Sequence, residues 1–351
     1  MLKVAVVSTC LYTVPPIGRH YYGYDLGWSG GYGGESQIYT LVKALCKAGV
    51  EVELFGTPGS EPPPKGHLHI NPQGTWWDVF RREPQAWNMY KDIIMDCDIV
   101  HDWSLTKYAH HICYKEFNKK CVMQPWGTGA PPPFHNYNTI CWSQYQRGLF
   151  LTQGYPKTTK YVYGSVDLNV YEPNYDEGKY FLYLSRIHPS KHPEIAIKLA
   201  KELGIKLYIA CDTESPDHSY YLEQAQKECV KYPNIVFIID PSFEAKRVLF
   251  SNAKGLIFAS ESECFGLVAI EALAHGTPLI LRRHGAFPEI ITHGEQGFLC
   301  DDFNDFVASV KQIDMIDRRA CRKLVEDRFN SDIMAARYIE ISEKVIGGET
   351  F

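Results

Sequence analysis

Short apolar segments alternate with amphipathic segments along almost the whole chain, and this alternation constrains the fold more than any other feature. The first apolar segment is Lys3–Ser8; the helical segment Glu35–Ala48 follows and ends at Gly49, and Glu51–Phe55 comes next. Continuous apolar strands separated by helices are typical of a parallel sheet covered on both faces. The same pattern predicts strands at Ile99–His101, Cys121–Gln124 and Thr139–Trp142, and helices at about Pro84–Met95, Leu105–Phe117 and Gln144–Gln153.

The alternation restarts after a polar, turn-rich segment, Tyr171–Gly178, where we place a domain boundary. Tyr180–Leu184 is the first strand of the second series, and Lys191–Leu203 is its first helix. Further strands are predicted at Lys206–Ala210, Ile235–Ile239, Leu256–Ala259 and Pro278–Leu281, and a last amphipathic helix at Asp332–Val345. At roughly 150 residues per domain, the length of the chain corresponds to two domains. The sequence therefore predicts an α/β fold of two doubly wound, Rossmann-like domains, with a ligand cleft at the carboxyl ends of both sheets.

Composition and charge narrow the class of protein. The chain is 45% apolar and 22% charged, which excludes disordered and fibrous proteins. The net charge is −5, and neither half has the positive excess that binds long nucleic acid. No segment reaches the roughly 18 apolar residues of a membrane-spanning helix, and the amino terminus lacks the pattern of a signal peptide. Eleven scattered cysteines without a C-x-x-C pair indicate reduced thiols, so we expect a cytoplasmic protein.

A polar loop that leads into a helix, within Ser260–Ile280, carries the most informative chemistry. Glu263 lies in the loop and Glu271 in the helix, which begins near Phe265–Gly266. Unpaired N–H groups at a helix amino terminus suit phosphate or sugar hydroxyls, and carboxylates accept hydrogen bonds from hydroxyls. The combination favours a sugar nucleotide as ligand. A capped helix with two solvated glutamates is the alternative that the spacing leaves open.

This segment resembles the signature of glycosyltransferase family 4, whose members are retaining enzymes of the GT-B fold. The resemblance consists of Glu263-x7-Glu271, Phe265-Gly266 between the glutamates, and Gly276-Thr277-Pro278 after them. Ser185-Arg186 and Lys191 resemble the family's diphosphate-binding arginine and lysine. Further resemblances are Gly31–Glu35 to its amino-terminal Gly-Gly loop, Val166-Asp167 to the end of its first domain, and Phe329–Tyr338 to its returning carboxyl-terminal helix.

The resemblance implies a retaining hexosyltransferase that needs no metal or other cofactor. Residues 1–170 would form the acceptor domain, residues 171–330 the donor domain, and residues 331–351 would return to the first domain. The co-substrate would be a nucleoside diphosphate sugar, by default UDP-glucose, and the acceptor a glycan, a lipid or a small molecule, with nucleic acid disfavoured. A nucleotide-sugar epimerase, a phosphorylase of the same fold and a non-catalytic sugar-nucleotide-binding protein stay open as alternatives.

The resemblance also assigns roles to side chains. Arg186 and Lys191 would hold the diphosphate, Glu271 the ribose, and Glu263 and His101 the transferred sugar; Arg186, Lys191, Glu263 and His101 are therefore the predicted catalytic residues. The predicted donor-binding set adds Gly33, Gly34, Cys264, Phe265, Gly266, Leu267 and Glu271. One departure is His192, because the family usually has glycine after this lysine.

Aromatic residues in the long segment Thr9–Gly30 are candidates for the acceptor site, because aromatic faces bind sugar rings. A loop that its own aromatic residues hold to the surface is the alternative. The predicted acceptor contacts are Tyr12, Tyr22, Tyr24, Trp28, Asp102 and Trp103.

Two other ligand sites are disfavoured. Asp96-Cys97-Asp98 has the D-x-D form of a metal site, but it precedes the strand Ile99–His101, so its carboxylates face the wrong end of the sheet and no metal ligands are assigned. A dinucleotide-binding G-x-G-x-x-G should follow the first strand immediately. Here Thr9–Gly30 intervenes before the glycines, which argues against a dehydrogenase.

Overall fold

The computed structural model describes residues 1–10, 14, 20–21, 24–25, 33–74, 78–125, 127, 138–211, 216–261 and 263–351. The chain divides into two compact units: unit 1 comprises Met1–Ser165 and Ser331–Phe351, and unit 2 comprises Val166–Asn330. Val166 and Asn330 form a parallel bridge, so the two ends of unit 2 are neighbours. Residues 166–170 thus belong with unit 2, whereas the turn-rich segment placed the boundary after residue 170.

A parallel five-stranded sheet forms the centre of unit 1. The strands described in this unit are β1 (Lys3–Val7), β2 (His20–Tyr21), β3 (Tyr24–Asp25), β4 (Glu51–Gly56), β5 (Gly66–Ile70), β6 (Ile99–Asp102), β7 (Cys121–Met123), β8 (Ile140–Cys141) and β9 (Lys160–Tyr161). The large sheet has the order β5-β4-β1-β6-β7, while β2–β3 and β8–β9 form two short pairs. Val4 to Val6 in the central strand are fully buried, as expected for a parallel sheet with both faces covered.

Four helices of unit 1 connect these strands: α1 (Gly33–Lys47), α2 (Val79–Asp96), α3 (Tyr108–Ile112) and α4 (Gln144–Thr152). A π-helical turn, Cys113–Phe117, continues α3.

Unit 2 repeats the same architecture with a parallel six-stranded sheet. Its strands are β10 (Tyr180–Leu184), β11 (Leu207–Cys211), β12 (Ile235–Ile239), β13 (Ala253–Phe258), β14 (Leu279–Arg282) and β15 (Gly297–Cys300). Its helices are α5 (Pro193–Leu203), α6 (Pro216–Cys229), α7 (Phe243–Ser251), α8 (Leu267–Ala274), α9 (Phe287–Ile290), α10 (Phe303–Gln312) and α11 (Arg318–Arg328). The order is β12-β11-β10-β13-β14-β15. Because β10 and β13 pair in parallel, the segments that follow these two strands leave the sheet at the same edge.

The carboxyl-terminal helix α12 (Ser331–Ile346) packs against α1 and completes unit 1. Its first turn is tied to α1 by Lys47, whose Nζ donates to Asp332 Oδ2 over 2.6 Å. No helix among the residues described is both long enough and apolar enough to cross a membrane.

The predicted fold class is confirmed: both units are doubly wound parallel α/β sheets. Two edge strands, β5 and β15, were not predicted. Strand β5 lacks a continuous apolar run because it carries His67 and His69 and is largely half-buried. Strand β15 is buried, but it has four residues and begins with glycine, so its apolar run is too short to indicate a strand.

Candidate active site

The loop between β13 and α8 carries Glu263 and turns sharply into the helix at Gly266. Gly266 has φ +101°, and a Cβ placed on it would lie 2.9 Å from Cε1 of Phe287. Both observations require glycine at this position. The turn lets α8 begin at Leu267 with its first N–H groups directed towards the loop, since these groups have no acceptor within the helix. Phe265 is 3% exposed and packs on Phe329, so its backbone, not its side chain, is available to a ligand.

Lys191 lies in a second loop at the same edge of the sheet. A 3₁₀ turn, Pro189–Lys191, follows β10 and precedes α5, and it leaves Lys191 only 9% exposed. The Lys191 ammonium pairs with Oε1 of Glu263 and lies 3.3 Å from the hydroxyl of Ser260. A buried ammonium is unfavourable unless a carboxylate or another acceptor compensates it. Two predicted site residues separated by 72 positions in the sequence are therefore in direct contact.

Arg186 lies just beyond β10 and is exposed. Its carbonyl accepts a hydrogen bond from the Tyr183 hydroxyl over 3.1 Å, which holds the backbone at this point. Within the part of the chain that the structure describes, the guanidinium has no partner. A planar guanidinium with five N–H groups can bind two oxygens of one phosphate.

His192 adopts the left-handed backbone conformation, with φ +49° and ψ +51°. This conformation explains why glycine suits the position after the lysine, since glycine reaches it without steric cost. Histidine is among the residues that occupy it more often than most. The departure from the family pattern therefore leaves the backbone path around Lys191 intact.

Glu271 lies in the second turn of α8, and its Oε1 is 3.4 Å from the hydroxyl of Tyr171. Burial raises the pKa of the Glu271 carboxyl, while the positive charge of Lys246 and the Tyr171 contact oppose this shift. Burial, together with the neighbouring Glu271, also raises the pKa of Tyr171. Tyr171 packs edge-on against His275, with ring centroids 5.5 Å apart. No sequence pattern predicted a functional role for Tyr171, which lies in the turn-rich segment interpreted as the domain boundary.

Three residues of unit 1 that were predicted to contact sugar or acceptor are buried in its core. His101 and Asp102 have no exposed surface, and Trp103 is 1% exposed. His101 Nε2 lies 2.8 Å from the hydroxyl of Ser342 on α12, and burial lowers the pKa of His101 to about 3. Trp103 packs between Trp142 and Tyr338.

The Asp102 carboxylate is occupied by backbone groups, because it accepts from the amides of Ser104 and His110 over 2.8 and 2.7 Å. We therefore assign His101, Asp102 and Trp103 to the core of unit 1 instead of to a ligand site.

The remaining predicted residues have simpler placements. Gly33 and Gly34 are the first two residues of α1. Cys264 and Leu267 are half-buried beside the loop glycine. Tyr12, Tyr22 and Trp28 lie outside the described residues, as does the side chain of Tyr24, whose backbone belongs to β3.

Asp96 and Asp98 are both engaged by Lys3. Its Nζ lies 3.0 Å from Asp96 Oδ2, and its backbone N–H donates to Asp98 Oδ2 over 2.7 Å. Both aspartates precede β6, at the edge of the sheet where the strands begin. Among the described residues, no group of three or more His, Cys, Asp or Glu side chains could hold a metal ion.

Sequence comparisons with known proteins match mainly unit 2, whereas structural comparisons match nearly the whole chain. Residues 170–326 match the family described as "Glycosyl transferases group 1". The O-antigen chain mannosyltransferase RfbU of Salmonella typhimurium is 27% identical over 157 residues, which are 44% of each chain. The matched region thus spans less than half the length of this relative.

Two solved structures cover nearly the whole chain. Sucrose-phosphate synthase from Thermosynechococcus elongatus has a TM-score of 0.80 at 18% identity, covering 99% of this chain and 100% of that one. Anabaena HepE in complex with UDP and glucose has a TM-score of 0.71 at 14% identity, covering 98% and 100%. The protein has the GT-B fold, and its residues 170–326 are similar to the group 1 glycosyltransferases, in agreement with the signature found in the sequence.

Proposed function

We propose that the protein is a retaining glycosyltransferase that moves a hexose from a nucleoside diphosphate sugar to an acceptor hydroxyl. Arg186 and Lys191 bind the diphosphate, Glu271 binds the ribose hydroxyls, and Glu263 with the backbone of residues 265–267 binds the transferred sugar. The observation that carries this proposal is the meeting of Lys191 with Glu263 at the start of α8. It puts a cation and a hydroxyl acceptor side by side, as a ligand with phosphate next to sugar requires.

The chemistry of the leaving group supports these roles. As the bond to the sugar breaks, the nucleoside diphosphate gains negative charge, which fixed cations and N–H groups stabilise. Arg186 offers a bidentate fork, Lys191 a point charge, and the first turn of α8 a set of oriented N–H groups. The three together can neutralise the diphosphate without a metal ion.

The stereochemical course follows from the family. In front-face substitution the acceptor oxygen reaches the sugar on the side from which the diphosphate leaves. The departing phosphate oxygen takes the acceptor proton, so the site requires no strong protein base. His101 is fully buried in the core of unit 1, so its side chain is not available as such a base, which agrees with this course.

The donor is proposed to be UDP-glucose. The Anabaena structure contains UDP and glucose, whereas the Salmonella relative is named for mannose, so the sugar varies among similar proteins. Burial raises the pKa of Glu271, and the ionised carboxylate accepts hydrogen bonds from ribose hydroxyls. None of the eleven cysteines forms a disulfide, which supports our proposal that the protein works in a reducing compartment such as the cytoplasm.

The test is incubation of the purified protein with a panel of nucleoside diphosphate sugars, with release of the nucleotide and the shift in melting temperature as readouts. We expect one donor to be hydrolysed slowly without acceptor and to stabilise the protein. Lys227→Ala is a matched control for Lys191→Ala, because Lys227 is an exposed lysine on α6. Absence of both hydrolysis and stabilisation with every donor would overturn the proposal.

The products separate this function from its alternatives. An epimerase converts the donor into an isomer without releasing nucleotide. A phosphorylase requires inorganic phosphate and yields a sugar phosphate. A protein that only binds sugar nucleotides shows the melting shift with no turnover on any acceptor.

A further inference from the structure

His192 bridges two carboxylates that belong to different segments beside the candidate site. Its Nδ1 lies 2.6 Å from Oε1 of Glu194, in the first turn of α5. Its Nε2 lies 2.9 Å from Oε1 of Glu261, in the loop that carries Glu263. The left-handed backbone of His192 aims the ring at that loop and leaves the side chain 21% exposed.

The two contacts require a protonated ring. A neutral imidazole has one N–H and one acceptor nitrogen, whereas an ionised carboxylate only accepts hydrogen bonds. Both nitrogens can therefore face carboxylates favourably only in the imidazolium form. The ion pair with His192 lowers the pKa of Glu261, so Glu261 stays ionised where the imidazolium exists.

Other contacts also restrain the loop that His192 holds. The amide of Glu261 donates to the carbonyl of Ser190 over 3.1 Å, and Arg282 on β14 lies 3.1 Å from the same carboxylate oxygen of Glu261. The carbonyl of Glu263 accepts from the amide of Ala286 over 3.1 Å. Through its contacts with Glu194 and Glu261, His192 connects the Glu261 side chain to α5, the helix that follows the turn of Lys191.

We propose that His192 is a positioning residue of the donor site, whose ring joins Glu194 to Glu261 and so fixes the loop of Glu263 relative to Lys191. The effect on the donor rests on the proposed function, whereas the restraint on the loop is expected in the protein without any donor. Among the described residues, the charged groups near the ring are Glu194 on α5, Glu261 in the loop, Arg282 on β14 beside Glu261, and Lys191 in the preceding turn.

Amide exchange in the free protein tests the restraint without any donor. His192→Gly fits the left-handed backbone and removes the ring, and we expect it to speed exchange of the segment around residues 260–266 at pH 6. His192→Lys keeps a cation there, and Lys107 shows that lysine adopts a left-handed backbone in this chain, with φ +57°. It should restore slow exchange. Glu202→Gln, an exposed change on the same helix, is the matched control. Unchanged exchange in His192→Gly would overturn the proposal.

Donor kinetics test the functional half. His192→Gly should raise the KM for the donor about two- to fivefold at pH 6, the size of a partly exposed ion pair, with little change in kcat. His192→Lys, which keeps a cation at this position, should restore the KM of the wild type. A wild-type KM in His192→Gly would refute the role in positioning.

The outcomes for the two proposals are separable. If Lys191→Ala abolishes donor binding while His192→Gly changes neither exchange nor KM, the donor site stands and the His192 bridge is irrelevant to it. If His192→Gly speeds exchange but no donor binds the wild type, the restraint is real and the proposed function is wrong.

Discussion

Replacement of Lys191 by alanine removes the most deeply placed cation of the candidate site. Lys191 is 9% exposed, and its ammonium contacts Glu263 and Ser260. The variant therefore has two effects, which differ in origin. It removes a charge from the leaving group in the transition state, and it leaves the Glu263 carboxylate, whose side chain is 16% exposed, without its partner.

The two effects have different magnitudes. The loss of one cation at the diphosphate should cost about 2–4 kcal/mol of transition-state stabilisation, a fall of about 30- to 900-fold in kcat/KM. The unpaired carboxylate should cost about 1–3 kcal/mol of folding free energy. A stability loss of 1 kcal/mol lowers the melting temperature of a domain of this size by about 2–4 °C.

A double variant separates the two effects. Lys191→Ala with Glu263→Gln removes both charges, so it should recover most of the lost melting temperature without recovering transfer. The assays are donor turnover at saturating acceptor, calorimetry with the nucleoside diphosphate, and thermal melting, with Lys227→Ala as control. Wild-type turnover in a folded Lys191→Ala protein would refute the reasoning, because the diphosphate would then lie elsewhere.

Four further predictions follow from the same geometry. Arg186→Ala should lower kcat/KM by about 2–4 kcal/mol with almost no change in melting temperature, because the guanidinium is exposed and without a partner among the described residues; a large loss of stability would contradict this placement. Transfer should persist in excess chelator, and loss of activity that added Mg²⁺ or Mn²⁺ restores would reopen the question of a metal. Glu271→Gln should weaken binding of UDP and of UDP-glucose together, whereas Glu263→Gln should spare UDP and slow transfer, which calorimetry on both variants distinguishes. Acidification should destabilise the wild type more than His101→Gln. Burial lowers the pKa of His101 in the folded protein to about 3, so the unfolded state binds the proton first, and the free energy of unfolding falls as the pH drops below about 6.5, by about 2 kcal/mol at pH 5. Denaturant titrations that give the same pH dependence of this free energy for both proteins would count against the prediction.

Strands whose signal is contained in one short apolar run were predicted from the sequence. Tyr180–Leu184 and Ile235–Ile239 are strands with the predicted bounds, because each is a continuous apolar run, the first inside its sheet and the second at its edge. Strand β5 was not predicted because His67 and His69 interrupt its apolar run. Its pairing is fixed by the register with β4, which no local segment encodes.

In the candidate site, too, the residues of one short segment could be predicted from the sequence, whereas contacts between distant segments could not. Glu263 and Glu271 could be predicted because their spacing and the glycine between them lie in one short segment. The contact of Lys191 with Glu263 depends on β10 and β13 being neighbours, which is a property of the sheet. The burial of His101 could not be predicted from local sequence either, because α12 returns to unit 1 and covers β6 with Ser342 and Tyr338, more than 230 residues away in sequence.

Lys191 and Glu263 compensate each other's charge in the candidate site, and this has a consequence for how a donor would bind. The ammonium of Lys191, a residue that is only 9% exposed, needs a compensating charge, and Glu263 supplies it. A diphosphate that takes over Lys191 supplies that compensation instead, so Glu263 loses its cation at the moment a sugar becomes available to it. A carboxylate in that position gains most by accepting hydrogen bonds from the sugar hydroxyls. In the proposed reaction, therefore, occupation of the diphosphate site and recognition of the sugar are linked through one ion pair, and a nucleoside diphosphate without sugar would leave Glu263 unsatisfied.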